Sequence, residues 1–114
     1  MPEAITAIGN NAFRNNTMLT SIVIPAGVTS IGAGAFYGCT SLETVEFVEG
    51  GSLLTLGSSA GDGVFQNCLG LHQIDMKNRV TMIGSRAFAS SGIRSNNVSA
   101  TLVLGSNVTQ IGSY

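Results

Sequence analysis

Residues 24–42 read Ile24-Pro25-Ala26-Gly27-Val28-Thr29-Ser30-Ile31-Gly32-Ala33-Gly34-Ala35-Phe36-Tyr37-Gly38-Cys39-Thr40-Ser41-Leu42, and the hexapeptide Ile31-Gly32-Ala33-Gly34-Ala35-Phe36 inside them recurs. Ile8-Gly9-Asn10-Asn11-Ala12-Phe13 precedes it and Ile83-Gly84-Ser85-Arg86-Ala87-Phe88 follows it, all of the form I-G-x-x-A-F. Self-similarity at a fixed period is the signature of stacked repeats. Phe13 to Phe36 spans 23 residues, as do Pro2 to Pro25, Leu19 to Leu42 and Ile22 to Val45. From Phe36 to Phe65 the distance is 29, one period plus six residues inserted around Glu49-Gly50-Gly51-Ser52 and Ser58-Ser59-Ala60-Gly61-Asp62-Gly63. Phe88 follows Phe65 by 23 residues, and five further residues enter around 90–97 before Leu102-Val103-Leu104 and Ile111-Gly112 resume the pattern. The expectation is a single repeat unit over 1–114, about four coils and the start of a fifth, cut from a longer array.

Working outward from the hexapeptide, Leu19-x-x-Ile22-x-Ile24, Leu42-x-x-Val45-x-Phe47 and Leu71-x-x-Ile74-x-Met76 share the form L-x-x-L-x-L. Alternation at the last two apolar positions predicts a short strand with one buried face. Pro25 closes the first of these strands, and Gly27 and Gly32 mark turns. Gly34-Ala35-Phe36-Tyr37 predicts a single helical or 3₁₀ turn on the opposite side of the coil. A lone 23-residue coil cannot bury its own apolar face, so neighbours must cover it. Parallel strands about 4.8 Å apart then build one sheet, and Phe13, Phe36, Phe65 and Phe88 stack as an internal column.

Composition narrows the function. Hydrophobic residues make up 44% of the 114 and charged residues only 10%, so the polar surface is built from Ser, Thr, Asn and Gly. Five basic residues face six acidic ones, with no Lys/Arg run to neutralise phosphates, which argues against nucleic acid as a partner. The longest apolar runs fall far short of the roughly 18 residues of a membrane span. Residues 1–20 hold no basic start followed by an apolar block, so any export signal is expected upstream.

The 24–42 segment resembles the BspA-like, or Treponema-type, leucine-rich repeat, whose pattern I-P-x-x-V-x-x-I-G-x-x-A-F-x-x-C-x-x-L it follows position by position. The resemblance covers essentially the whole chain. It departs in the two insertions, in Lys77 and Gly105 at the proline position, and in Asn16 and Ser91 where Cys39 and Cys68 stand in other coils. The resulting fold expectation is an α/β repeat, a right-handed leucine-rich-repeat solenoid with one parallel β-sheet on the concave face and short helical or 3₁₀ turns opposite. The resemblance implies a cell-surface or secreted protein, of the kind found in anaerobic bacteria and mucosal protozoa, acting in adhesion by binding host proteins or other cells.

Several residues invite a chemical role. Cys39 and Cys68 both lie three residues after the repeat Phe, so stacking brings their Cα atoms to about 5 Å. A disulfide tolerates that spacing, and so does a column of small unpaired residues with Asn16 and Ser91; both readings stand open. One His and no C-x-x-C exclude a recognisable zinc site, and no cofactor motif is present. The exposed strand positions are expected to be Thr20, Ser21 and Val23, then Glu43, Thr44 and Glu46, then His72, Gln73 and Asp75, then Ala100, Thr101 and Val103. Glu43 shares a column with His72, and Glu46 with Asp75. Glu43, Glu46, His72, Gln73 and Asp75 are therefore the candidate partner-binding residues. Their carboxylates suit a basic protein segment or a divalent cation, and equally a solvated face whose charges keep the sheet soluble.

An open sheet offers no pocket to shift pKa values, so no catalytic residue is assigned and the chain is read as a non-enzyme. Gly57-Ser58-Ser59-Ala60-Gly61-Asp62-Gly63 lacks the lysine of a phosphate loop. Asn15, Asn97 and Asn107 head glycosylation sequons, which would carry glycans in a secreted eukaryotic protein and be silent in a bacterium. The functional expectation is a non-catalytic protein-binding module with a host or cell-surface protein as partner, the alternative being a spacer rod that presents another domain. Uncapped ends would favour end-to-end self-association.

Overall fold

The computed structural model describes residues 5–57, 61–92, 101–103 and 110–111, the last two groups as strand backbone. Among the described residues nine strands alternate between two parallel sheets. Strands β2 (Ser21–Ile24), β4 (Thr44–Phe47), β6 (Gln73–Asp75) and β8 (Thr101–Val103) form the first sheet, in that order. The second contains β1 (Ala7–Ile8), β3 (Ser30–Ile31), β5 (Leu54–Leu56), β7 (Val80–Ile83) and β9 (Gln110–Ile111). The registers follow the repeat: Ile22 pairs with Val45, Val45 with Ile74 and Ile74 with Leu102, while Ile8, Ile31, Leu56, Ile83 and Ile111 form one row of the other sheet. Among the described residues the register slips only at Leu54/Thr55, where Thr81 is the extra residue of β7.

The L-x-x-L-x-L segments thus become the first sheet, as their alternation predicts, with β2 reading exposed, buried, exposed, buried. The second sheet was not anticipated. Its strands are two to four residues long and carry a single buried residue per coil in the shortest cases, too little for a period-two pattern to show. What places them in a sheet is the pairing with neighbouring coils.

The turn side corrects a further expectation. Residues 34–37 form hydrogen-bonded turns, and among the described residues there is neither α- nor 3₁₀-helix. The reason lies in where the N–H groups go. Asn11, Phe13 and Asn15 donate to Ala33, Ala35 and Tyr37 of the next coil at 3.1, 2.7 and 2.7 Å, while the interleaved Ala12, Arg14 and Asn16 donate three residues back within their own coil. Phe36 and Gly38 repeat the cross-coil bonds to Val64 and Gln66, and Phe65 and Asn67 to Ala87 and Ala89. A helix would need every N–H for itself; here every second one is spent on the neighbour. Alternation of direction requires left-handed residues at intervals. They fall two before and two after the repeat Phe, at Asn11, Gly34 and Arg86 and at Asn15, Gly38, Asn67 and Ser90, all with φ between 56° and 73°. Asn and Gly tolerate that region best.

Between the two sheets and the turn side lies one core. The four Phe rings stack nearly parallel, with centroids 5.2, 5.4 and 5.6 Å apart. Phe36 and Phe65 are wholly buried, whereas Phe13 and Phe88 are half-buried. Leu42 and Leu71 flank the column, fully enclosed. Replacing Phe36 or Phe65 by Ala is expected to cost about 3–5 kcal/mol in urea denaturation, and Phe13→Ala clearly less, because Phe13 loses fewer contacts.

Candidate functional site

Alternation places the side chains of the first sheet. Val45 and Ile74 point into the core, so Glu46 and Gln73 face outward. Glu46 stands between Val23 and Asp75 in register, with Gln73 beside Thr44. Glu43 and His72 lie just ahead of β4 and β6, where the ladder is already running: Glu43 N–H donates to Thr20 O at 2.8 Å, and His72 N–H donates to Glu43 O at 3.0 Å. Glu46, Gln73 and Asp75 therefore share one face, and Glu43 and His72 border it ahead of the strands. Glu43, Glu46 and Gln73 are exposed, His72 and Asp75 half-buried.

The face divides in two. Glu46, Gln73 and Asp75, with Thr44, Val45, Phe47 and Lys77, line a shallow depression of about 330 Å³. Glu43 and His72 stand outside it, toward the start of the strands. His72 donates its Nδ1–H to Gly70 O at 3.1 Å. Asp75 accepts the Lys77 backbone N–H at 3.0 Å through Oδ1, and its Oδ2 lies 3.7 Å from Lys77 Nζ. Glu43 and Glu46 carry no ion pair among the described residues. The three carboxylates are thus unequal, since one has a cation of its own. Lys77 is the residue that sequence reading left out of the site. Its signal was present: it replaces the proline that closes the corresponding strand at Pro25.

A second cluster joins three coils on the turn side. Arg14 Nη1 lies 2.8 Å from Asp62 Oδ2, and the guanidinium sits over the Tyr37 ring at 3.9 Å. Tyr37 Oη accepts a hydrogen bond from Asn67 Nδ2 at 3.0 Å. The cluster ties the second inserted segment to the body; half exposed to solvent, its ion pair is worth little by itself.

Cys39 and Cys68 are free, buried thiols. Each donates to the repeat Phe of the coil before, Cys39 Sγ to Phe13 O at 3.1 Å and Cys68 Sγ to Phe36 O at 3.0 Å. Of the two readings open from spacing, the structure takes the one without a disulfide, with both thiols free. Among the described residues no cluster of three or more His, Cys, Asp or Glu could hold a metal ion, and no helix is long and apolar enough to cross a membrane. The sequons at Asn97 and Asn107, Ala100, and most of the 90–97 insertion lie outside the described residues.

This stack of short coils, with one aromatic ring and one strand pair per repeat, matches a known family model, the BspA type leucine rich repeat region, in six copies over residues 1–114. The chain belongs to that family. No curated protein and no solved structure matches it at a significant level. BspA-type membership makes the chain a repeat module of the kind that engages other proteins through an extended surface.

Burial raises both thiols of this BspA-type array above the ordinary thiol range, and repulsion from Cys39 helps push Cys68 up to about 12. A folded-state pKa above the unfolded one means that the neutral thiol contributes stability below the unfolded pKa, and that this is lost as pH climbs toward the folded value. The thermal midpoint should therefore fall between about pH 9 and about pH 11, and fall less steeply in Cys68→Ala. Neither thiol should react with iodoacetamide at pH 8 until the chain is unfolded.

Proposed function

We propose that the outer face of the first sheet is a non-catalytic docking surface for a protein partner, with Glu43, Glu46, His72, Gln73 and Asp75 at its centre. The partner presents an extended, basic segment, and binding rests on complementarity over many small contacts, without bond making. The carrying observation is that Glu43 and Glu46 are exposed and lack an ion pair among the described residues, while Glu46 overlooks a depression of about 330 Å³. A Lys or Arg entering that depression meets Glu46 and Asp75 together, and Gln73 offers both donor and acceptor to a peptide backbone. The parent protein is a surface or secreted adhesin, as its family suggests. Its coils wind right-handed, as about 98% of parallel crossovers do, with this sheet on the concave side.

Replacing Glu43, Glu46 and Asp75 together by Ala should weaken binding of a Lys-rich ten-residue peptide by about tenfold at low salt and flatten its salt dependence. The thermal midpoint should fall only slightly, because Glu43 and Glu46 are exposed and Asp75 gives up a single hydrogen bond, from the Lys77 N–H. Equal affinity for the triple variant would place the contact surface elsewhere. Retention of neither this peptide nor immobilised host matrix protein by the unmodified chain would favour the spacer rod.

A further inference from the structure

The largest buried polar side chain among the described residues plays no part in that face. Arg79, in the turn between β6 and β7, is 1% exposed and the largest fully buried side chain of the core. Among the described residues no carboxylate pairs with it. A buried charge without a counter-ion is costly unless other groups replace its hydration.

Here backbone carbonyls do so. Arg79 Nε donates to Ser52 O at 2.9 Å, Nη1 to Ile24 O and Val48 O at 3.2 and 3.3 Å, and Nη2 to Pro25 O, Ala26 O and Val28 O at 2.9, 3.2 and 3.1 Å. Six acceptors thus surround the five N–H groups of a guanidinium. Four belong to the end of β2 and the turn after it, two to the turn after β4, and the cation comes from the turn after β6, so three successive coils meet at one group. Burial lowers the Arg79 pKa, yet guanidinium starts so high that it stays charged.

Two sequence features make the cage possible. The residues inserted around Glu49-Gly50-Gly51-Ser52 open the middle turn, and Gly51 lines the passage. A Cβ on Gly51 would lie 2.7 Å from Arg79 Cζ and Nε and 2.8 Å from Ala26 Cα. Arg79 itself occupies the position of Gly27 in the first coil, one residue before the repeat Val.

We propose that the carbonyl oxygens of Ile24, Pro25, Ala26, Val28, Val48 and Ser52 form a binding site for a planar guanidinium cation, which Arg79 fills from within the chain to clasp three coils into one cooperative unit. Stacked repeats ordinarily couple only to their nearest neighbours. This contact reaches 51 to 55 residues back, two coils away, for four of its six acceptors. Ammonium does not substitute, because a compact charge with three donors cannot span carbonyls on two separate turns.

The test pairs a vacated cage with the missing ion. Arg79→Ala should melt well below the unmodified chain, and about 20 mM guanidinium chloride, far under denaturing concentrations, should raise its midpoint by at least about 4 °C. Potassium chloride at the same concentration should not, and the unmodified chain should gain nothing from either salt. Arg79→Lys should be destabilised and unresponsive. If Arg79→Ala does not fold in buffer, guanidinium should restore its folded circular-dichroism spectrum. No rescue, or equal rescue by potassium, overturns the site. An independent readout uses the unmodified chain: in ¹⁵N NMR the Nη protons of Arg79 should appear as separate, slowly exchanging resonances. A single averaged signal exchanging at the solvent rate would overturn the cage whatever the variants do.

Discussion

Everything in this fold depends on how the backbone shares its hydrogen bonds between coils. Two sheets spend their N–H groups on the neighbour as a matter of course. The turn side does the same at half density, with every second N–H bridging and the rest closing local turns. That division goes with left-handed residues two before the repeat Phe in three coils and two after it in all four, and it holds the Phe rings one above another at 5.2–5.6 Å. The aromatic column follows from the bonding register, and its burial then repays the register. A coil removed from its neighbours would lose both at once.

The surfaces follow from the same stacking. Because identical positions pile into columns, any charge placed on an outward strand position lies about 4.8 Å from its counterpart in the next coil. Glu46 and Asp75 are such counterparts, and Lys77 at the strand's end tempers one of them. The insertions add what perfect repetition cannot. One supplies Asp62 to Arg14, the other opens the turn through which Arg79 reaches two coils back. Departures from the repeat are where this chain has features that the repeat pattern alone does not supply.

Much of this was readable from residues alone. The period, the strand assignment of Ser21–Ile24 and Thr44–Phe47, the inward Phe column and the outward Glu46 and Gln73 all follow from spacing and alternation, which are local properties. Ser30–Ile31 as a strand was not readable, since two residues carry no period. Nor was the absence of a helix at 34–37, because Gly34-Ala35-Phe36-Tyr37 suits a helical turn until the next coil claims the Phe36 N–H. Lys77 and Arg79 were visible only as irregularities.

The sequence by itself therefore determined that coils repeat, which side chains face the core and which columns carry charge, because periodicity is written along the chain. Only tertiary structure decided whether a given N–H closes a turn or bridges to a neighbour, whether Cys39 and Cys68 pair or stand alone, and where a lone arginine finds its acceptors. Those outcomes depend on atoms one or two periods distant, and the energy of a hydrogen bond is set by a partner's position, which residue identity does not encode.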